Sequence, residues 1–189
     1  MKNIAIFASG SGSNAQKIIE HFAASDVARV TLVLANNPAA YVLDRARAAG
    51  VEAVVFDRAQ WRDDTYIINR LREAAIDYIV LAGFLWLVPP ALVAAYPGRI
   101  VNIHPALLPK YGGKGMYGHH VHEAVIAAGE RESGITIHLV NEVYDSGDIL
   151  AQLRVAVTPD DTPDTLAAKI HVLEHRHFPQ VIEEQVRKL

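Results

Sequence analysis

Ile4-Ala5-Ile6-Phe7-Ala8-Ser9-Gly10-Ser11-Gly12-Ser13-Asn14 begins as a short apolar run and passes through a glycine-serine turn into a segment of helical periodicity, Asn14–Ala24. An apolar run with no polar alternation describes a strand buried on both faces, as in a parallel sheet covered by helices. The same unit recurs. Val30–Ala35, Ala53–Phe56, Tyr78–Ala82 and Ile100–Ile103 are brief β-branched runs, while Ala39–Ala49, Asp64–Ala75 and His120–Ala128 are helical stretches. Pro38, Gly50, Pro97 and Gly129 punctuate them, and the alternation predicts βαβ units. Beyond Gly134, Ile135–Val140 and Ile149–Val157 are separated only by a loop, which predicts an antiparallel edge. A last helix is expected from the Thr162-Pro163-Asp164 cap to Leu189, with Pro179 as its breaking point. The expected class is α/β: a Rossmann-like, mostly parallel sheet with helices on both faces and an antiparallel C-terminal edge, in one domain over residues 1–189.

Composition narrows the function. At 189 residues, folding can bury roughly 70% of the unfolded surface, and 51% hydrophobic with 21% charged residues is the balance of an ordered globular chain. A net charge of -3 gives no basic field for nucleic-acid backbone, so small-molecule substrates are expected and nucleic acid is not. The chain has no cysteine, which excludes disulfides, thiolate catalysis and Cys-ligated metal. The apolar run at the amino terminus is too short to span a membrane and lacks a signal-peptide cleavage pattern, so a cytoplasmic address is expected.

The Ser9–Asn14 turn lies between the first strand and first helix, where backbone N–H groups and the helix dipole face an anion. With Ala15 it satisfies Gly-x-Gly-x-x-Ala, a dinucleotide pattern. The second strand nevertheless ends at Ala35-Asn36-Asn37, without the carboxylate that holds an NAD ribose. A phosphate monoester is the favoured guest, with a dinucleotide or a purely structural turn as the other readings.

Arg99-Ile100-Val101-Asn102-Ile103-His104-Pro105 places two polar side chains two residues apart at the end of an apolar strand, and period two sends both to one side of the sheet. Polar groups on a buried strand need partners or a purpose. A core histidine beside a strand-capping asparagine is one reading. The other is an asparagine amide that stabilises developing negative charge beside an imidazole that moves a proton. A nearby carboxylate would raise the imidazole pKa. Asp145 and Asp148, in the Tyr144–Ile149 turn, are both candidates. The Pro105–Gly118 loop carries Lys110 and Lys114 among glycines and prolines.

Taken together, the Gly-Ser-Gly-Ser-Asn turn, Leu81-Ala82-Gly83-Phe84, Asn102-Ile103-His104-Pro105 followed by Leu107-Leu108-Pro109, and Asp145-Ser146-Gly147-Asp148-Ile149-Leu150-Ala151-Gln152 resemble the formyltransferase family, in order and over nearly the whole chain. The resemblance implies transfer of the formyl group of 10-formyltetrahydrofolate, the co-substrate, to the amine of N1-(5-phosphoribosyl)glycinamide in purine biosynthesis. It selects Asp145 over Asp148, so that Asn102, His104 and Asp145 form the reacting centre. It also implies that Gly12, Ser13 and Asn14 bind the phosphate, and that His171, Val172, Leu173 and Glu174 meet the ribonucleotide. His171 stands where some members carry lysine, which leaves its phosphate contact open. Leu85, Trp86, Leu87 and Val88, with Asn102 and the loop Asn141, Glu142, Val143, Tyr144 and Asp145, would hold the folate. For Leu85–Val88 ordinary core is the competing reading. Family members also form homodimers, which makes that assembly a further expectation.

Formylation of an aminoacyl-tRNA or amino sugar, hydrolysis of the formyl-folate, and a non-catalytic nucleotide-binding module or NAD-linked oxidoreductase are the rival functions. The tRNA enzymes resemble proteins with a further carboxyl-terminal domain, and the hydrolases proteins with an amino-terminal one. No metal is expected, because neither His119-His120-x-His122 nor His175-x-His177 has the His-Glu-x-x-His spacing.

Overall fold

In the computed structural model, which describes residues 1–189, β1 (Lys2–Ala8) divides its side chains between two cores. Ile4, Ile6 and Ala8 join one apolar cluster and Ala5 and Phe7 the other, the separation that a pleated strand imposes. The other strands are β2 (Ala28–Ala35), β3 (Glu52–Val55), β4 (Tyr78–Leu81), β5 (Ile100–His104), β6 (Glu132–Leu139) and β7 (Ile149–Ala156). They form one seven-stranded sheet in the order β3-β2-β1-β4-β5-β6-β7. β1 to β5 are parallel, and β6 and β7 are each antiparallel to the strand before them. The expected antiparallel edge is therefore present.

The helices are α1 (Ser13–Phe22), α2 (Val42–Ala48), α3 (Arg58–Arg62), α4 (Tyr66–Glu73), α5 (Pro90–Ala95), α6 (His119–Ala127) and α7 (Pro163–Val186). α1, α2, α6 and α7 bury Ile18, Leu43, Val125 and Phe178 in the first core, while α3, α4 and α5 bury Trp61, Leu71 and Leu92 in the second. Helices thus cover both faces. α3 and α5 are too short for periodicity to reveal, although α3 carries a capping box between Asp57 and Gln60, and α5 starts on Pro90. α7 runs through Pro179 without the expected break. Phe178, Pro179, Val181, Ile182 and Val186 are all buried, and that apolar face outweighs the single N–H bond that the proline removes.

From β1 the chain moves outward to β2 and β3, then returns to place β4 on the other side of β1. Beyond the carboxyl ends of β1 and β4 such a reversal leaves a crevice, the usual binding position of open α/β sheets. Two hydrogen bonds tie its walls together. The Ser9 N–H donates to the Gly83 carbonyl at 3.0 Å, and the Leu85 N–H donates to Ser9 Oγ at 3.1 Å.

Candidate active site

β5 delivers Asn102 and His104 to one face of the sheet, and β6 lies antiparallel beside it with Asn102 opposite His138 and His104 opposite Thr136. Cross-strand partners share a face, so four polar side chains converge where apolar residues would otherwise pack. Thr136 Oγ1 donates to the Ala106 carbonyl at 2.7 Å and accepts from the Leu108 N–H at 3.1 Å, pinning the chain that leaves β5. His138 Nδ1 donates to the Leu139 carbonyl at 2.9 Å, so its Nε2 accepts from Asn102 Nδ2 at 3.2 Å. That bond orients the Asn102 amide and leaves its second N–H free.

Asp145 comes from the β6–β7 loop with φ +52° and stands between the two imidazoles. One carboxylate oxygen lies 3.5 Å from His104 Nδ1 and the other 3.6 Å from His138 Nε2, while the Gly113 N–H donates to Oδ2 at 2.9 Å. Asp148, the competing candidate, is exposed and lines neither cavity described below. On its other side His104 Nε2 donates to the Tyr111 carbonyl at 2.7 Å.

Burial dominates the His104 pKa, lowering it below the usual imidazole value; the Asp145 carboxylate and the Tyr111 carbonyl oppose that shift without cancelling it. The sequence reading anticipated the carboxylate's pull and omitted the desolvation. The resting imidazole is therefore neutral near pH 7. Burial pushes the Asp145 carboxyl up, but the Gly113 N–H, and either flanking imidazole once it carries a proton toward the carboxylate, outweigh it and hold the group below the ordinary carboxylate range.

Two cavities meet at this point. The first, about 350 Å³, is lined by Asn102, His104, His138 and Asp145 together with Leu85, Trp86, Leu87, Val88, Asn141, Val143 and Tyr144. Leu85 and Leu87 are 44% and 41% exposed at its rim, whereas Val88 packs into the second core. Glu142 is exposed and does not line the cavity. The second, about 590 Å³, is lined by Gly12, Ser13, Asn14, His119, His120, His122, His171 and Glu174. Gly83, Leu85, Ile103, Pro105, Tyr117 and Gly118 border both. Val172 projects to solvent and Leu173 packs against the first core, so neither lines the second cavity.

The polar cavity is set by local backbone. Gly12 has φ +73°, and a Cβ there would meet Val42 Cβ at 2.5 Å, so only glycine fits between α1 and α2. The turn it makes aims the unpaired amides of the first turn of α1 into the cavity. Across from them Glu174 is buried on α7 and accepts from Asn14 Nδ2 at 2.9 Å; burial pushes its carboxyl up. Burial likewise pushes the neighbouring His122 down to about 4.

The pattern of the family described as "Formyl transferase" matches residues 2–182. The chain belongs to the formyl transferase family. It is 42% identical to the chloroplastic phosphoribosylglycinamide formyltransferase of Arabidopsis thaliana over 98% of this chain and 67% of that protein. Its identity to the phosphoribosylglycinamide formyltransferase of Bacillus subtilis is 35%, over 97% of this chain and 94% of the other. The crystal structure of phosphoribosylglycinamide formyltransferase from Bacillus halodurans superposes with a TM-score of 0.89 at 38% identity, covering 99% of this chain and 96% of that one. Within this formyl transferase, sequence reasoning missed His138 and Thr136. Their signal was available: Thr136-Ile137-His138 repeats on β6 the polar-apolar-polar spacing of Asn102-Ile103-His104.

Proposed function

We propose that this formyl transferase moves the formyl group of 10-formyltetrahydrofolate onto the amine of N1-(5-phosphoribosyl)glycinamide. The observation that carries the reading is the meeting of an apolar cavity and a polar one beside His104 and Asn102. A reaction between a flat, largely apolar donor and a phosphorylated acceptor needs both chambers, with its reacting groups at their junction. In this reading Leu85–Val88 and the Asn141–Asp145 loop exclude water from the folate, the α1 amides hold the phosphate, and Glu174 with Asn14 meets the ribonucleotide.

The neutral amine attacks the formyl carbon and the carbonyl oxygen becomes negative. The free N–H of Asn102 donates to that oxygen. Neutral His104, with Nε2–H held by the Tyr111 carbonyl, accepts the amine's proton at Nδ1. The imidazolium formed is stabilised by Asp145 at 3.5 Å and lies beside the oxyanion. Collapse breaks the bond from carbon to the folate nitrogen, and that nitrogen takes the proton from His104. The cycle closes with tetrahydrofolate, the N-formyl product and a neutral histidine. A low imidazole pKa suits the first half of this cycle, because the base is free at neutral pH.

The test is to supply 10-formyltetrahydrofolate with and without the glycinamide ribonucleotide. Tetrahydrofolate and formylated ribonucleotide should form in equal amounts, and only with both substrates present. Formate release without the ribonucleotide would support the hydrolase reading, and turnover with an amino sugar alone would assign a different acceptor. A cytoplasmic address is a separate proposal, which localisation of the tagged full chain tests.

A further inference from the structure

Tyr111 has φ +56°, a left-handed backbone that a bulky side chain rarely adopts unless its surroundings enforce it. The consequence is that its carbonyl faces His104 Nε2 at 2.7 Å. Two residues on, the Gly113 N–H donates to Asp145 Oδ2 at 2.9 Å. Between them Gly112 is so close-packed that a Cβ would meet Leu108 Cδ2 at 2.5 Å and Asp145 Cβ at 3.4 Å. One three-residue segment therefore touches both members of the reacting pair.

Tyr111 packs against the first core on one side, but on another it lines a cavity of about 230 Å³ with Leu108, Glu130, Ser133 and Gln152, so packing holds it only in part. Hydrogen bonds do the rest. The Tyr111 phenol donates to Glu130 Oε1 at 3.0 Å, and Lys110 Nζ donates to the same oxygen at 2.9 Å. Glu130 lies three residues beyond the end of α6 and is tied back to it, its N–H donating to the Val125 carbonyl at 3.3 Å. The anchor is thus tied to the last turn of a helix, and the anchored segment is a loop.

We propose that Glu130 is a positioning residue for the reaction: through Tyr111 it fixes which ring nitrogen of His104 carries the proton, and where the ring points. A carbonyl only accepts, so Nε2 must be the N–H and Nδ1 is left facing Asp145 and the apolar cavity. Releasing Tyr111 lets the ring adopt the other tautomer, donate Nδ1–H to Asp145 and lose the basic nitrogen on the substrate side. It also removes a contact that raises the imidazole pKa.

The inference rests on the proposed formyl transfer for its kinetic readout. Tyr111→Phe and Glu130→Ala should each lower kcat about tenfold or more while both KM values stay within about twofold, the pattern of a misplaced reacting group. The acid limb of the kcat profile should move to lower pH. Glu130→Gln, whose amide oxygen still accepts from the phenol, should recover most of the lost turnover. Ring ¹⁵N NMR of His104 reads the tautomer without substrate: the parent should show Nε2–H alone, and the two disruptive variants a mixture. An unchanged tautomer and pH profile in folded Tyr111→Phe and Glu130→Ala would overturn the proposal, as would a loss in Glu130→Gln equal to that of Glu130→Ala. If the parent protein turns over no ribonucleotide, the proposed function fails, and the NMR comparison still decides the role of Glu130.

Discussion

In the proposed reaction His104 must be neutral when the amine arrives and charged a moment later, and its neighbours divide those tasks. Burial keeps it neutral, while Asp145 and the Tyr111 carbonyl lower the cost of the charge. Replacing Asp145 with Asn removes the larger of the two raising influences, so the folded imidazole pKa falls further. The pH below which His104 becomes protonated then drops, and the acid limb of kcat should shift to lower pH even as kcat itself falls. A kcat profile over pH 5 to 9 measures both changes, and a limb that stays in place or moves up would remove Asp145 from this role. The proposed role of Asn102 is simpler: one donor to the oxyanion. Asn102→Ala should cost ~10²–10³ in kcat, about 3–4 kcal/mol, and leave the acid limb where it is. Turnover within about threefold of the parent would mean that another group holds the oxygen.

At the level of elements, the site depends on how one turn and one strand pair meet their neighbours. In the turn after β1, the left-handed Gly12 and its contact with Val42 leave no room for a side chain. Gly12→Ala should force α1 away from α2 and misdirect the α1 amides. The ribonucleotide KM should rise about tenfold, with the folate KM changed less than twofold, as steady-state kinetics with each substrate varied would show. Much of this was readable from the sequence. The turn was evident from glycines between an apolar run and a helical period, and Asn102 with His104 from their spacing on β5. His138 escaped because its place opposite Asn102 is a matter of strand register between segments 36 residues apart, which spacing within one strand does not encode. Tyr111 escaped for a different reason: its contribution is a backbone carbonyl, which every residue type carries. α3 and α5 were invisible to periodicity because five or six residues hold too few turns to repeat a pattern.

Across the whole molecule, α7 joins stability to the proposed ribonucleotide binding. Leu166, Ile170, Phe178 and Ile182 root it in the first core, and the same helix turns Glu174 toward the polar cavity and the first turn of α1. A carboxylate in that position is expensive, since burial raises its pKa above the value it has in the unfolded chain. Below the unfolded value, about 4.3, both states hold the proton and the site costs little. As the pH rises from there through the folded value, the unfolded chain releases its proton first, so stability is lost across that window. Glu174→Gln keeps an oxygen for Asn14 and removes the titration. Its melting temperature at pH 7.5 should exceed that of the parent. The difference should close toward pH 4, and the ribonucleotide KM should rise while the folate KM does not. Thermal unfolding at both pH values, alongside the two KM measurements, checks the trade. A variant less stable than its parent at pH 7.5 would show that the charge on Glu174 supports the fold rather than the ribonucleotide site.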